Sequence, residues 1–263
     1  MMLKRFGSAF PPLAVFAAFI GAWYLYGSFI LDETERNISL PYFHKVVDVA
    51  FLDGENRSEL LSATWTSAWI AAIGLAIAMA LGLLFAVLMS QAKWVERSFY
   101  PYAVLLQTIP ILALVPVIGL RFGFGVPARV IVVVIISLFP IITNTLFGLK
   151  SAEQGHHDLF TLHNANRFTR LFKLQFPSAL PAMFTGFQIS AGLAVIGEIV
   201  GGFFFGRGAT DLGNRIQLYA ARLRAEELIG AIALSAGLGI VVFWFFGFLR
   251  HRFTASWAEE SNT

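Results

Sequence analysis

Hydrophobic residues fall along the chain in long blocks separated by short polar stretches. The blocks run from about Phe10 to Leu31, Leu61 to Met89, Tyr100 to Leu120, Val130 to Gly148, Leu180 to Phe204 and Leu228 to Phe248. A transmembrane helix needs about 20 mostly apolar residues, so the pattern predicts an all-α polytopic membrane protein with six transmembrane helices. No stretch alternates as the strands of a membrane barrel do. The first block follows Lys4 and Arg5. It is too long for the apolar core of a signal peptide and lacks a small-residue cleavage site, so residues 1–31 read as a retained anchor. Trp23, Tyr24 and Tyr26 near its far end suit an interfacial aromatic belt.

The polar stretches divide the rest. Residues 32–60 are rich in Asp and Glu and form an external segment, within which Pro41–Phe51 suits a short amphipathic helix lying on the membrane. Residues 61–249 hold five spans as one core, and 250–263 form a tail. In the second span Gly74, Ala78 and Gly82 recur every four residues, a face for close helix contact. The third contains Pro101, Pro110 and Pro116 and reads as a bent helix. Lys and Arg divide ten to nine between the two sides. The tally alone therefore leaves orientation open, although Lys4 and Arg5 ahead of the first span favour an inside N-terminus.

Residues 150–178 are too polar to span and too long for a turn. They read as two short helices, about Ala152–His163 and Arg167–Gln175, around a sharp corner. Asn164 suits the left-handed position that ends the first helix. Asn166 suits the N-cap of the second. Pro177 is expected to end that second helix, with Ser178 capping the fifth span.

Composition narrows the function. Hydrophobic residues make up 57% and charged residues 13%, against about 25% charged in an ordinary soluble domain; mean hydropathy is +0.70. A soluble fold of this size would not hide that much apolar surface. The absence of Cys excludes disulfides and thiol chemistry. A net charge of +3 fits contact with anionic lipid better than with nucleic acid. No phosphate-binding GxxxxGK[ST] loop and no HExxH or GxSxG motif occurs, so no catalytic residue is assigned. His156, His157 and His163 lie in the polar loop without the supporting residues of a metal site, and none is assigned to a metal. The polar candidates inside spans are Gln107, Thr108, Asn144, Gln188 and Glu198. Glu198, flanked by Gly197 and Gly201, is the one deeply placed acid, read either as a gate or pathway residue or as a structural carboxylate. With Pro110 these are the candidates for a translocation pathway or gate.

The loop resembles that of ABC importer permeases, whose cytoplasmic pattern is Glu-Ala-Ala, three residues, Gly, nine residues, Ile-x-Leu-Pro. Here Asp158, Leu159 and Phe160 fall at Glu-Ala-Ala, Asn164 at the Gly, and Leu174, Phe176 and Pro177 at the last three named positions; the Pro alone is identical. Asn164-Ala165-Asn166-Arg167 is similar to the family's Gly-Ala-Ser-Arg. Gln107-Thr108-Ile109-Pro110, Phe122-Gly123-Phe124-Gly125, Phe139-Pro140 with Asn144, and Thr185-Gly186 look like permeases of nitrate, sulfonate, taurine and pyrimidine-type importers.

The resemblance implies a type I importer bundle in the bacterial plasma membrane, with both termini cytoplasmic. It implies a coupling loop in which Asp158, Leu159, Phe160, Leu162, Asn164, Ala165 and Pro177 dock to a separate ATPase. The implied partners are two ATPase subunits that hold ATP and Mg, a second permease copy and an external binding protein that selects a small solute. This chain itself would bind no cofactor. Phe160 is bulky where Ala is usual, which implies a wider or differently shaped groove on the ATPase, or docking to a dedicated ATPase alone. Near Asp211-Leu212-Gly213 an outer gate is implied, and Arg207, Arg215, Arg222 and Arg224 would give its mouth a positive field. The alternative is a self-contained secondary transporter or channel, which calls for internal repeats and more intramembrane charge.

Overall fold

A computed structural model describes residues 2–206 and 210–258, with side chains from Pro11 to Phe253 apart from Pro12. Among them there are helices and no strands. The helices are α1 (Met2–Phe29), α2 (Glu33–Ser39), α3 (Phe43–Val47), α4 (Gly54–Gln91), α5 (Lys93–Thr108), α6 (Ile111–Phe122), α7 (Val126–Leu149), α8 (Gln154–Leu162), α9 (Arg167–Arg170), α10 (Phe176–Phe205), α11 (Leu212–Ala221) and α12 (Ala225–Ala258). Four stretches are long and apolar enough to cross a bilayer: α4, α7, Arg167–Phe205 and Ala225–Phe253. The pair α5 and α6, bent by 98°, makes a fifth, and Leu13–Phe29 of α1 is a shorter apolar helix. The expected all-α bundle is present, with four such spans among the described residues, or five where the bent pair counts as one.

Helix α7 is the centre of that core. Within lipid there is little hydrophobic drive between helices, so close packing of small residues must hold them together. Gly74 of α4 meets Val133 and Gly82 meets Ile141, at the same offset along both helices, so α4 and α7 run parallel. Gly201 of α10 meets Arg129, Gly197 meets Val133 and Gly186 meets Asn144, so α10 runs antiparallel. Ser190 Oγ adds a 2.7 Å hydrogen bond to the Ser137 carbonyl. Because α4 and α7 run parallel, the chain must return to its starting end between them, and the bent α5–α6 pair does this.

The bend lies at Ile109-Pro110. Ile109 and Pro110 are both extended, with ψ of 124° and 111°. A residue before proline is pushed out of the helical region, and proline suits the start of a new helix. Pro101, Pro116 and Pro140 sit inside helices without breaking them.

One local expectation fails. Pro177 does not end the helix that starts at Arg167. The chain stays helical through a π-turn at Leu171–Gln175 and continues into α10. The backbone N–H of Phe176 bonds to the Leu171 carbonyl, five residues back. Pro177 follows in the first turn of α10, where a missing N–H costs little once the ladder has been reset. Ser178 is therefore interior, not a cap. Within residues 32–60, Pro41–Phe51 folds as α3 and a π-turn, and α4 starts at Gly54 with Asp53 as N-cap.

Replacing Gly186 by Val would place Cβ 2.9 Å from both Asn144 Cβ and the Pro140 carbonyl oxygen. Overpacking of this kind costs about 1–3 kcal/mol. Gly186→Val is expected to lower the thermal unfolding temperature of the purified protein by several degrees. Gly239→Ala, where nothing lies within 4 Å, is expected to leave it unchanged.

Candidate functional site

The polar loop between α7 and α10 is a closed corner. Asn164 has φ of 50°, the left-handed value its position predicts. Its N–H bonds to the Thr161 carbonyl at 3.0 Å, and that of Ala165 to the Phe160 carbonyl at 2.9 Å. These are the paired bonds of a Schellman ending, with Ala165 against Phe160. Asn166 then caps α9, its Oδ1 accepting from the Thr169 N–H at 2.7 Å. Arg170 Nη2 donates to Thr161 Oγ1 at 2.9 Å, tying the two short helices together. Asp158 accepts from Gln154 Nε2 within α8.

The loop's root is equally tight. A Cβ on Gly148 would meet the Ala179 Cα and carbonyl oxygen at 2.9 Å, so the strands of chain entering and leaving the loop touch backbone to backbone. On its outer side stand apolar side chains: Leu162 is 80% exposed, Phe168 73% and Leu159 49%. Phe160 is only half-buried. Sequence gives no sign of Phe168's exposure, because Arg167–Gln175 holds Phe168, Leu171, Phe172 and Leu174 and spacing alone does not say which of them face out.

The pathway candidates separate. Gln107 and Pro140 line one cavity of about 360 Å³ beside the α5–α6 bend. Asn144, one turn beyond Pro140, donates to its carbonyl at 2.8 Å. Pro110 begins α6 next to this cavity. Gln188 lies on another face and donates to the Phe243 carbonyl of α12 at 3.5 Å, joining two helices.

Glu198 is fully buried between α7 and α10 with Ser67, Asp211 and Arg129 as its polar surroundings. Arg129 lies at the edge of the apolar block that starts at Val130, where a loop cation would be expected. It is instead fully buried, with Nη1 2.5 Å from Asp211 Oδ2 and Nη2 donating to the Phe205 carbonyl. Asp211 also caps α11, accepting from the Asn214 N–H at 2.9 Å. Burial pushes the Asp211 carboxyl up, while the Asn214 N–H and Arg129 pull it back. The adjoining Leu212 N–H donates to Ser67 Oγ of α4 at 3.0 Å.

On α11 the Tyr219 hydroxyl donates to Glu59, which also pairs with Arg215. Burial, then Glu59, pushes the Tyr219 phenol up to about 12, so it stays a donor throughout the neutral range. Two of the four cations of the expected positive mouth are thus offset. Arg215 is paired with Glu59 and Arg224 with Glu227, Arg222 is exposed, and Arg207 lies outside the described residues.

Removing one member of a buried pair leaves the other charge uncompensated, at about 3–5 kcal/mol. Arg129→Met is expected to cost this much in unfolding measurements. Adding Asp211→Asn, which keeps the α11 cap, is expected to recover a large part of the loss.

Known proteins agree with this architecture. Residues 72–255 match the family described as binding-protein-dependent transport system inner membrane component. The formylaminopyrimidine transport permease protein ThiX of Halalkalibacterium halodurans is 35% identical over 76% of this chain and 77% of its own. The nitrate import permease protein NrtB of a Synechocystis is 26% identical over 84% and 77%. In fold, a crystal structure of an amino acid ABC transporter with histidines aligns with a TM-score of 0.60 at 14% identity, covering 75% of this chain and 95% of that one. A family match across most of the core, joined by a relative of this identity over three quarters of the chain, establishes that the protein belongs to the binding-protein-dependent transport system inner membrane components, the permease subunits of ABC importers.

Proposed function

We propose that residues 150–178 are the coupling loop of this importer subunit, docking to a separate ATPase that holds ATP and Mg, while this chain catalyses nothing itself. The observation that carries the reading is the closed corner with bare knobs. A Schellman ending, a capped second helix and the Arg170–Thr161 bond make the loop rigid. Leu159, Leu162 and Phe168 nevertheless face solvent. Rigid apolar projections in water suit a groove on another protein. Closure of a partner shifts the membrane helices only through contacts that differ between two states, and this loop offers them. Asp158, Phe160, Asn164, Ala165 and Pro177 shape the lever and Leu159, Leu162 and Phe168 fill the groove. The loop end, and with it both termini, is then cytoplasmic, and the end bearing α11 faces out.

In this reading two such permeases pair across the path, two ATPases bind beneath, and an external binding protein delivers a small solute. ThiX-like similarity favours a pyrimidine-type thiamine precursor, with nitrate and sulfonate or taurine as the other classes. Gln107, Pro110 and Asn144 border the route beside the bend. Glu198, sealed under the Arg129–Asp211 pair, acts on the outer gate through that pair, and Gln188 joins α10 to α12.

Leu162→Asp combined with Phe168→Asp is expected to leave the helical content unchanged, because both side chains are in solvent, and to reduce co-purification with the cognate ATPase at least tenfold. Intact assembly and coupled ATPase activity in that variant would refute the coupling assignment. Glu198→Gln, of nearly the same volume, is expected to lower substrate-stimulated ATPase activity several-fold in a complex that still assembles. Unchanged transport and ATPase activity would make Glu198 structural.

A further inference from the structure

Two cavities share the surface of α5 at the end that bears the loop. One is a cleft of about 750 Å³ between the end of α4, the start of α5 and the end of α7, lined by Ser90, Lys93, Glu96, Arg97, Tyr100 and Lys150. The other is an apolar groove of about 340 Å³, lined by Phe85, Phe99, Tyr102, Ala103, Leu138 and Ile142. Met89 borders both. Successive turns of α5, from Glu96 through Tyr100 to Ala103, lead from one into the other.

The cleft holds three cations against one carboxylate, and that carboxylate, Glu96, is paired with Lys150. Lys93, Arg97 and Lys150 are exposed. Trp94 and Tyr102 stand exposed beside them, the side-chain type that settles at headgroup depth. A basic cleft at that depth, opening onto an apolar slot, is complementary to an anionic amphiphile. A free anion would leave the slot unused. A second protein chain seated in the groove would have to bring a counter-charge for the cleft, whereas a lipid brings its own.

We propose that cleft and groove together bind one anionic phospholipid. Its phosphate lies among Lys93, Arg97 and Lys150, and one acyl chain lies along Phe85, Ala103 and Ile142. The phosphate shares Lys150 with Glu96 at the residue where α7 passes into the polar loop, so the lipid sits at the root of that loop. The site stands independently of the coupling assignment, because it rests on the two cavities alone.

The test uses the full-length chain, delipidated in mild detergent and incubated with dioleoylphosphatidylglycerol or dioleoylphosphatidylcholine, then weighed by native mass spectrometry. The expected result is one phosphatidylglycerol per chain held under activation that strips phosphatidylcholine. Lys93→Gln with Arg97→Gln and Lys150→Gln is expected to weaken retention at least tenfold. Ala103→Phe, which fills the groove, is expected to weaken it several-fold at an unchanged unfolding temperature, and Ala103→Leu serves in its place if the Phe variant is less stable. Millimolar inorganic phosphate is expected to displace nothing. Equal retention of the two lipids, retention by the triple variant, or displacement by phosphate would each overturn the proposal. So would loss of chain–chain association, rather than of lipid, in the groove-filling variant.

Discussion

Everything in this bundle is arranged around how closely other backbones approach α7. Lipid offers no hydrophobic reward for bringing two apolar helices together, so contact must come from side chains small enough to let dispersion and backbone contacts accumulate. Glycines do this on both flanks, Gly74 and Gly82 from α4 and Gly186, Gly197 and Gly201 from α10. The parallel partner on one side and the antiparallel partner on the other fix the direction of every remaining span. The sharp return through α5 and α6 is a consequence of that parallel pairing.

The two ends of the α7–α10 pair are fastened in different ways. At one end a buried Arg129–Asp211 pair joins α7 to the cap of α11, and Ser67 ties in α4. At the other, Gly148 and Ala179 meet backbone to backbone and the chain leaves as a rigid corner. A displacement of that corner therefore has little slack to vanish into before it reaches the helices. Packed interfaces of this kind switch between arrangements rather than deforming smoothly.

Much of this was legible in the residues. Long apolar blocks announced the spans, the three prolines of the third block a bend without saying which of them makes it, and Asn164 and Asn166 the corner, because each depends on local chemistry. What was not legible depends on distant partners. Arg129 lies at the edge of an apolar block and looked like a loop cation; only folding brings Asp211 to it. Pro177 looked like a stop because the i−4 ladder was assumed up to it. The π-turn before it shifts the ladder by one residue, and nothing in Leu171–Gln175 signals that shift. The direction of Phe168, too, is set by the docking of α9 on α8, which sequence spacing does not encode. The family resemblance singled out the polar loop but put its apolar contacts on α8 alone, whereas α9 presents one of the two most exposed.

The bare side chains of the corner also bear on the life of the molecule before it works. A copy outside the proposed assembly leaves Leu162 and Phe168 exposed, on a loop whose fold does not need them there. Exposed apolar groups are what proteases and chaperones recognise in incomplete proteins, and nothing among the described residues covers these two. In the proposed assembly the partner's groove covers them, so the surplus of an unbalanced synthesis is marked for removal by the same surface that makes the finished machine. Subunit stoichiometry would then be policed by the geometry of the loop, with no separate signal required.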